Sequence, residues 1–147
     1  MSDFSAGWRP AVPHIRIAED GAPFLVGSRC GTCHETFVDE RLVCAKCGAR
    51  DAMDPVHLGE TGHIHTYSIV HRSFPGVKTP FVSAWIGLDG GANVQGTVQQ
   101  VPTDASTPLF GLPVRLVFGD SGQRDGAGIP FLAYYFVPTQ TLGGDRA

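Results

Sequence analysis

Cys30-Gly31-Thr32-Cys33 and Cys44-Ala45-Lys46-Cys47 are two Cys-x-x-Cys pairs that use every cysteine in the chain. Two residues between thiols let a tight turn aim both sulfurs at one ion, and a small residue in or just after the turn lets backbone amides approach them. Gly31 and Gly48 meet that need. The pattern reads as one tetrahedral site made by Cys30, Cys33, Cys44 and Cys47. Four thiolates leave no coordination position for water or substrate, so the ion has a structural task. One Zn2+ is the simplest occupant, and iron fits the same cage. Two disulfides and a redox Cys-x-x-Cys compete with this reading. Met1-Ser2-Asp3-Phe4 lacks the basic and apolar segments of a secretory signal, so a reducing, cytoplasmic setting without disulfides is expected. A redox motif needs one pair and ordinarily a βαβ pattern, which is missing here.

Outward from the cysteines, Phe24-Leu25-Val26-Gly27-Ser28-Arg29 and Glu35-Thr36-Phe37-Val38 form a hairpin pattern with the first pair at its tip. Its few apolar residues cannot supply a core. Metal binding, worth about 10–16 kcal/mol in isolated zinc modules, offsets the ordering entropy of such a segment. Gly48 to Pro55 reads as a connector, which bounds the ribbon at residues 24–55. Residues 1–23 form an N-terminal extension with Pro10, Pro13 and Gly21 and a short apolar alternation at Val12, Ile15 and Ile17. One short strand or turn is expected there, and Phe4 and Trp8 are candidates for packing on a partner.

A length of 147 residues holds one compact domain of ordinary size and a small metal-stapled appendage. With 19 glycines and 11 prolines against 17% charged residues, the composition favours short strands and turns over long helices. No run free of proline and glycine is long enough to span a membrane. The net charge of -3 weighs against DNA or RNA as the main partner, because phosphate contacts need clustered Lys and Arg.

From residue 56 to 138 the chain reads as a barrel of five strands. His63 to His71 is rich in strand formers but alternates imperfectly. Phe81 to Leu88 turns through Asp89-Gly90-Gly91 into Asn93 to Val101, the strongest hairpin signal in the sequence. Val114 to Phe118 and Ile129 to Val137 follow, and residues 102–110 leave room for at most a turn of helix. Three meandering strands, a connector and two more strands fit an all-β Greek-key barrel of OB type, with an open β-sandwich as the other arrangement. Val82, Ala84, Ile86 and Leu88 face inward opposite Val94, Gly96 and Val98. Phe81 and Trp85 then lie on the outer face, with Tyr67 and Tyr134 or Tyr135 as expected neighbours. Residues 139–147 are a tail.

Catalytic signatures are missing: there is no Gly-x-Ser-x-Gly, no Walker-type Gly-x-x-x-x-Gly-Lys and no Gly-x-Gly-x-x-Gly opening a helix. His63 and His65 share a strand face and form a metal pair only if a third ligand joins them, which none does in the sequence. His34 follows a ligand directly and can cover the metal. The segment Arg72-Ser73-Phe74-Pro75-Gly76-Val77-Lys78-Thr79-Pro80 supports two readings. It is a solvated connection, or a prearranged loop in which Arg72 or Lys78 meets a phosphate or carboxylate while Phe74 enters a pocket. A single-stranded nucleic-acid binder is the alternative, since OB barrels stack bases on aromatics. Against it, Arg72, Lys78, Arg115 and Arg124 are outnumbered between residues 59 and 137 by Glu60, Asp89, Asp104, Asp120 and Asp125. An electron-transfer ribbon is a third reading.

The order Phe-Leu-x-Gly-x-Arg-Cys-x-x-Cys, a second Cys-x-x-Cys-Gly, then Gly-x-Thr-Gly-His-Ile-x-x-Tyr-Ser and Thr-Pro-Phe-Val-Ser-Ala-Trp-Ile-Gly-Leu-Asp-Gly-Gly covers residues 24 to 137 with its flanking strands. It resembles the rubredoxin-like zinc-ribbon plus OB-fold family of thiolase-associated accessory subunits. The resemblance implies a non-catalytic subunit in a heteromeric complex whose large partner is a thiolase, a hydroxymethylglutaryl-CoA synthase-like enzyme or a lipid-transfer-protein-like aldolase. It further implies that the partner supplies the catalytic groups. This chain would support the partner's fold and help to hold the CoA thioester of a steroid or aromatic acyl group. Arg72, Phe74 and Lys78 are the residues expected at the CoA ester or the partner. The family's N-terminal helix has no clear counterpart here.

Overall fold

The computed structural model describes residues 8–139, and those residues are strands, turns and loops with no helix among them. The expectations for Phe4 and for the tail beyond residue 139 lie outside the described residues. The strands are β1 (Arg9–Pro10), β2 (Ile15–Ile17), β3 (Pro23–Cys30), β4 (Thr36–Val38), β5 (Met53–His57), β6 (Thr61–Val70), β7 (Phe81–Leu88), β8 (Asn93–Val98), β9 (Pro113–Arg124) and β10 (Pro130–Pro138). They divide between two compact units, and β9 and β10 contribute residues to both.

The first unit comprises residues 8–59, 90–92 and 118–133. Its centre is β3, where the β-forming run Phe24-Leu25-Val26 lies between partners. Ile15 pairs with Leu25, Val38 with Gly27, and on the other side His57 with Val26 and Met53 with Cys30. The sequence reading ends a connector at Pro55 and so places the first three residues of β5 outside any strand. Asp54 and Pro55 are poor strand formers, but proline is tolerated on an edge strand, and β5 pairs only with β3. Glycine is required at position 27, because a Cβ there would lie 2.4 Å from Leu58 Cδ2 and 2.5 Å from the Phe37 carbonyl oxygen. The second of these is backbone and cannot step aside. Gly27→Val is therefore expected to cost about 1–3 kcal/mol, the usual penalty of overpacking. Denaturant unfolding of the metal-loaded chain measures it, and an unchanged midpoint would mean that β4 gives way freely.

The second unit comprises residues 60–89, 93–117 and 134–139. The strand order β10-β8-β7-β6-β9, with β9 also paired to β10, closes five strands into an OB-type barrel. On β7 strict alternation buries Val82, Ala84, Ile86 and Leu88, and Val94 and Val98 are buried opposite them. Each Val, Ile or Leu among them contributes about 1.5–3 kcal/mol by leaving water, and Ala84 less. Gly96 is small because Phe136 lies against it: a Cβ there would come within 2.8 Å of the Phe136 ring.

Two sequence expectations are corrected in the barrel, and one irregularity noted in the sequence is explained. The strand after the hairpin ends at Val98 rather than Val101, since Gln100 has φ 63°, a left-handed conformation that breaks the pleat. The imperfect alternation of β6 has a cause, a bulge: Ile64 opposes Ile86 and Thr66 opposes Trp85, which leaves His65 as the extra residue. The other correction concerns the tyrosines, and for Tyr67 it follows from that bulge. Tyr67 stands opposite Ala84, on the inner side, and Tyr134 packs near Gly96 and is therefore also inward. Neither is a neighbour of Trp85 on the outer face, where the cross-strand partners are Thr66 and Gln95.

Candidate metal centre and exposed loop

Each Cys-x-x-Cys turn is built by the same hydrogen bonds. The His34 amide donates to the Cys30 carbonyl at 2.8 Å, and the Gly48 amide donates to the Cys44 carbonyl at 2.9 Å. Entering the turns, the Cys30 amide donates to Glu35 at 2.9 Å and the Cys44 amide to Ala49 at 3.0 Å. The residue after each second cysteine is left-handed, with φ 67° at His34 and 78° at Gly48. At Gly48 the sequence advertises that turn; at His34 it does not. The His34 side chain is exposed.

These turns bring the four sulfurs within 4.8 Å of one another, the group among the described residues that could hold a metal ion. Cys30 and Cys47 sulfurs are 3.7 Å apart, and Cys33 and Cys44 sulfurs 3.5 Å. A tetrahedron of thiolates about 2.3 Å from zinc has edges near 3.8 Å, so the cage fits that ion. All four cysteines are free, at separations far beyond the ~2.05 Å of a disulfide.

Amides of the turns point at the sulfurs. Thr32 and Cys33 donate to Cys30 Sγ at 3.4 and 3.5 Å, and Lys46 and Cys47 donate to Cys44 Sγ at 3.4 Å each. The Cys33 amide, with smaller help from that of Thr32, draws the Cys30 thiol down to about 6. The Cys47 amide, then that of Lys46, lowers Cys44 in the same way. Hydrogen bonding to the charged form favours it, and thiolate is the form that ligates metal. The exposed residues His63 and His65 join no group of three or more candidate ligands among the described residues.

In the second unit, residues 71–80 join β6 to β7. The Val77 amide donates to the Phe74 carbonyl at 3.1 Å, and Gly76 supplies φ 88°. This turn holds Phe74 82% exposed and Val77 45% exposed, with Arg72 and Lys78 also in solvent. Trp85 is 46% exposed on the outer face, while Phe81 is half-buried. The face around Trp85 carries Thr66, Ser83 and Gln95, the last donating to Ser83 Oγ at 3.3 Å.

Two exposed apolar features escaped the sequence reading. Phe110 is 66% exposed and packs on Tyr67 at 4.8 Å between ring centroids. Leu42 is 87% exposed in the first unit. Its signal was an apolar pair, Leu42-Val43, inside the polar stretch between the cysteine turns.

Comparison with known proteins bears on both units. Residues 55–119 match the family model of the ChsH2 C-terminal OB-fold domain. A DUF35 domain-containing scaffold protein of Methanocaldococcus jannaschii is 29% identical over 119 residues, 79% of this chain and 82% of that one. The benzoylsuccinyl-CoA thiolase subunit BbsA of Geobacter metallireducens is 23% identical over 127 residues, 83% of this chain and 80% of that one. Among solved structures, a chain of the Ltp2-ChsH2(DUF35) aldolase superposes with a TM-score of 0.60 at 24% identity, covering 80% of this chain and 86% of its own length. Cysteine ribbon, five-stranded barrel and these matches point the same way: the chain is similar to DUF35 proteins over most of its length, and residues 55–119 to the OB-fold domain of ChsH2.

Proposed function

We propose that this chain is a non-catalytic, cytoplasmic subunit, carrying one structural Zn2+, of a thiolase-like or lipid-transfer-protein-like aldolase complex that makes or breaks a carbon–carbon bond in an acyl-CoA thioester. The observation that carries the proposal is the loop that presents Phe74, 82% exposed, between two solvent-exposed cations, Arg72 and Lys78. An isolated domain gains nothing from holding a phenyl ring in water. A subunit gains an anchor, since aromatic and arginine side chains dominate binding energy at interfaces. The same residues suit a CoA ester, whose pantetheine takes apolar contact and whose phosphates take cations. The relative BbsA, named as a thiolase subunit, supports the subunit reading. Aromatic or steroid acyl groups are the substrate class to test first.

The nucleic-acid reading gains nothing from the barrel. Trp85 offers a ring for stacking, but Thr66, Ser83 and Gln95 around it are uncharged, and affinity for a strand rests on cations along its phosphates.

Co-expression tests the proposal. The proposed thiolase-like or aldolase-like large subunit is expected to be poorly soluble or poorly active alone, and to gain acyl-CoA turnover when the two co-purify. Full turnover by the large enzyme alone, or turnover by this chain alone, would overturn it.

A further inference from the structure

We infer that the tip of the cysteine ribbon is a second docking surface, in which Leu42 enters an apolar pocket rimmed by carboxylates on the large subunit. The inference rests on the subunit reading above and adds a contact separate from the loop at residues 71–80.

Leu42 is exposed without being loose. On its N-terminal side, buried Ser28 clamps the turn: its hydroxyl donates to the Asp39 carbonyl at 2.7 Å and accepts the Arg41 amide at 2.9 Å. On its C-terminal side, Val43 bridges to Arg50, and the next residue is the buried ligand Cys44. The backbone is fixed on both sides while the leucine side chain, 87% exposed, touches little of its own unit. Side chains on pre-ordered backbone lose little entropy on binding, and that is what distinguishes an anchor from an incidental surface leucine. Val43, 41% exposed, extends the apolar area.

Charge fixes the kind of partner. Three of the four acids near the tip are engaged: Glu40 pairs with Arg16 at 2.8 Å, Glu35 with Lys46 at 3.3 Å, and Asp39 accepts the Glu40 amide at 2.8 Å, while the exposed Asp51 lies next to Arg50 and leaves Arg41 as the cation without a neighbouring free acid. Arg41 lies over the Phe37 ring at 5.0 Å, and among the described residues neither Arg41 nor Arg50 has an ion pair. Arg41 therefore flanks Leu42 and Val43 as the cation to be matched, and a protein pocket with an acidic rim matches it.

The test titrates the zinc-loaded full chain with the proposed thiolase-like or aldolase-like large subunit. Leu42→Asp is expected to weaken binding by about 30-fold or more, and Leu42→Met to retain it, with one zinc per chain and wild-type circular dichroism in both. Arg41→Glu is expected to slow association and flatten its salt dependence. Wild-type binding that Leu42→Asp leaves unchanged would overturn the inference and spare the subunit reading. A wild-type chain that binds no large subunit would overturn both. Leu42-dependent binding to phosphatidylglycerol vesicles, with subunit binding untouched by Leu42→Asp, would overturn it in favour of a membrane.

Discussion

Stripping the metal is expected to unfold residues 29–50 and to leave the barrel core in place. The reason lies in what is buried there: of the side chains from 29 to 50, the buried ones are Cys30, Thr36 and Cys44, two of which are ligands themselves. No apolar core remains to oppose a backbone entropy of about 1–2 kcal/mol per residue once the ion, worth about 10–16 kcal/mol in comparable modules, is gone. The limits of the effect follow from the same list. Leu25, Val26 and Leu58 are buried, so the base of β3 keeps its packing on β2 and β5. Amide hydrogen exchange reads this directly. After chelation, protection should vanish at Cys30, His34, Cys44 and Gly48, whose amides close the cysteine turns, and persist at the amides of β7. Cys44→Ser should behave as the stripped protein does. Full protection at those four amides without metal would mean that the ribbon holds itself together, and the structural role of the ion would fall.

The parts of this molecule that could be read in advance are those in which one local rule acts alone. Strict alternation from Val82 to Leu88 fixed which side of β7 is inward, and the spacing of the cysteines fixed the cage, because a two-residue turn has few ways to aim its sulfurs. Where two influences compete, the reading failed. β5 has proline and aspartate where a strand former is expected, and only its pairing with β3 makes it a strand. His65 looks like any strand residue, and nothing local says that it bulges; the error then carried over to Tyr67, which a one-residue shift moves to the opposite face. The apolar pair Leu42-Val43 is visible in the sequence, but the exposure of Leu42 is a tertiary fact. Arg72, Phe74 and Lys78 stand out in the sequence as two cations and an aromatic in one connection; the structure adds that all three are exposed to solvent.

Phe74→Ala is expected to leave stability within about 0.5 kcal/mol of wild type while costing the complex roughly 2 kcal/mol, about 30-fold, in partner or ester binding. The asymmetry comes from geometry. A ring 82% exposed contributes little to its own unit, so truncating it removes no core contact. The turn closed by the Val77 amide survives, because that bond uses the Phe74 carbonyl and not its side chain. Lys78→Ala should be milder and should lose its effect as salt rises, since an exposed cation acts through a screened charge. Kinetics then tell the two uses of the loop apart. A raised KM for the acyl-CoA ester with intact co-purification assigns the ring to the pantetheine arm. Lost co-purification, rescued by a high concentration of this chain, assigns it to the large subunit. Both follow if the ring lies where ester and partner meet. Neither change, in a variant that folds and holds zinc as wild type does, would remove residues 71–80 from the site and leave the ribbon tip as the surface to pursue.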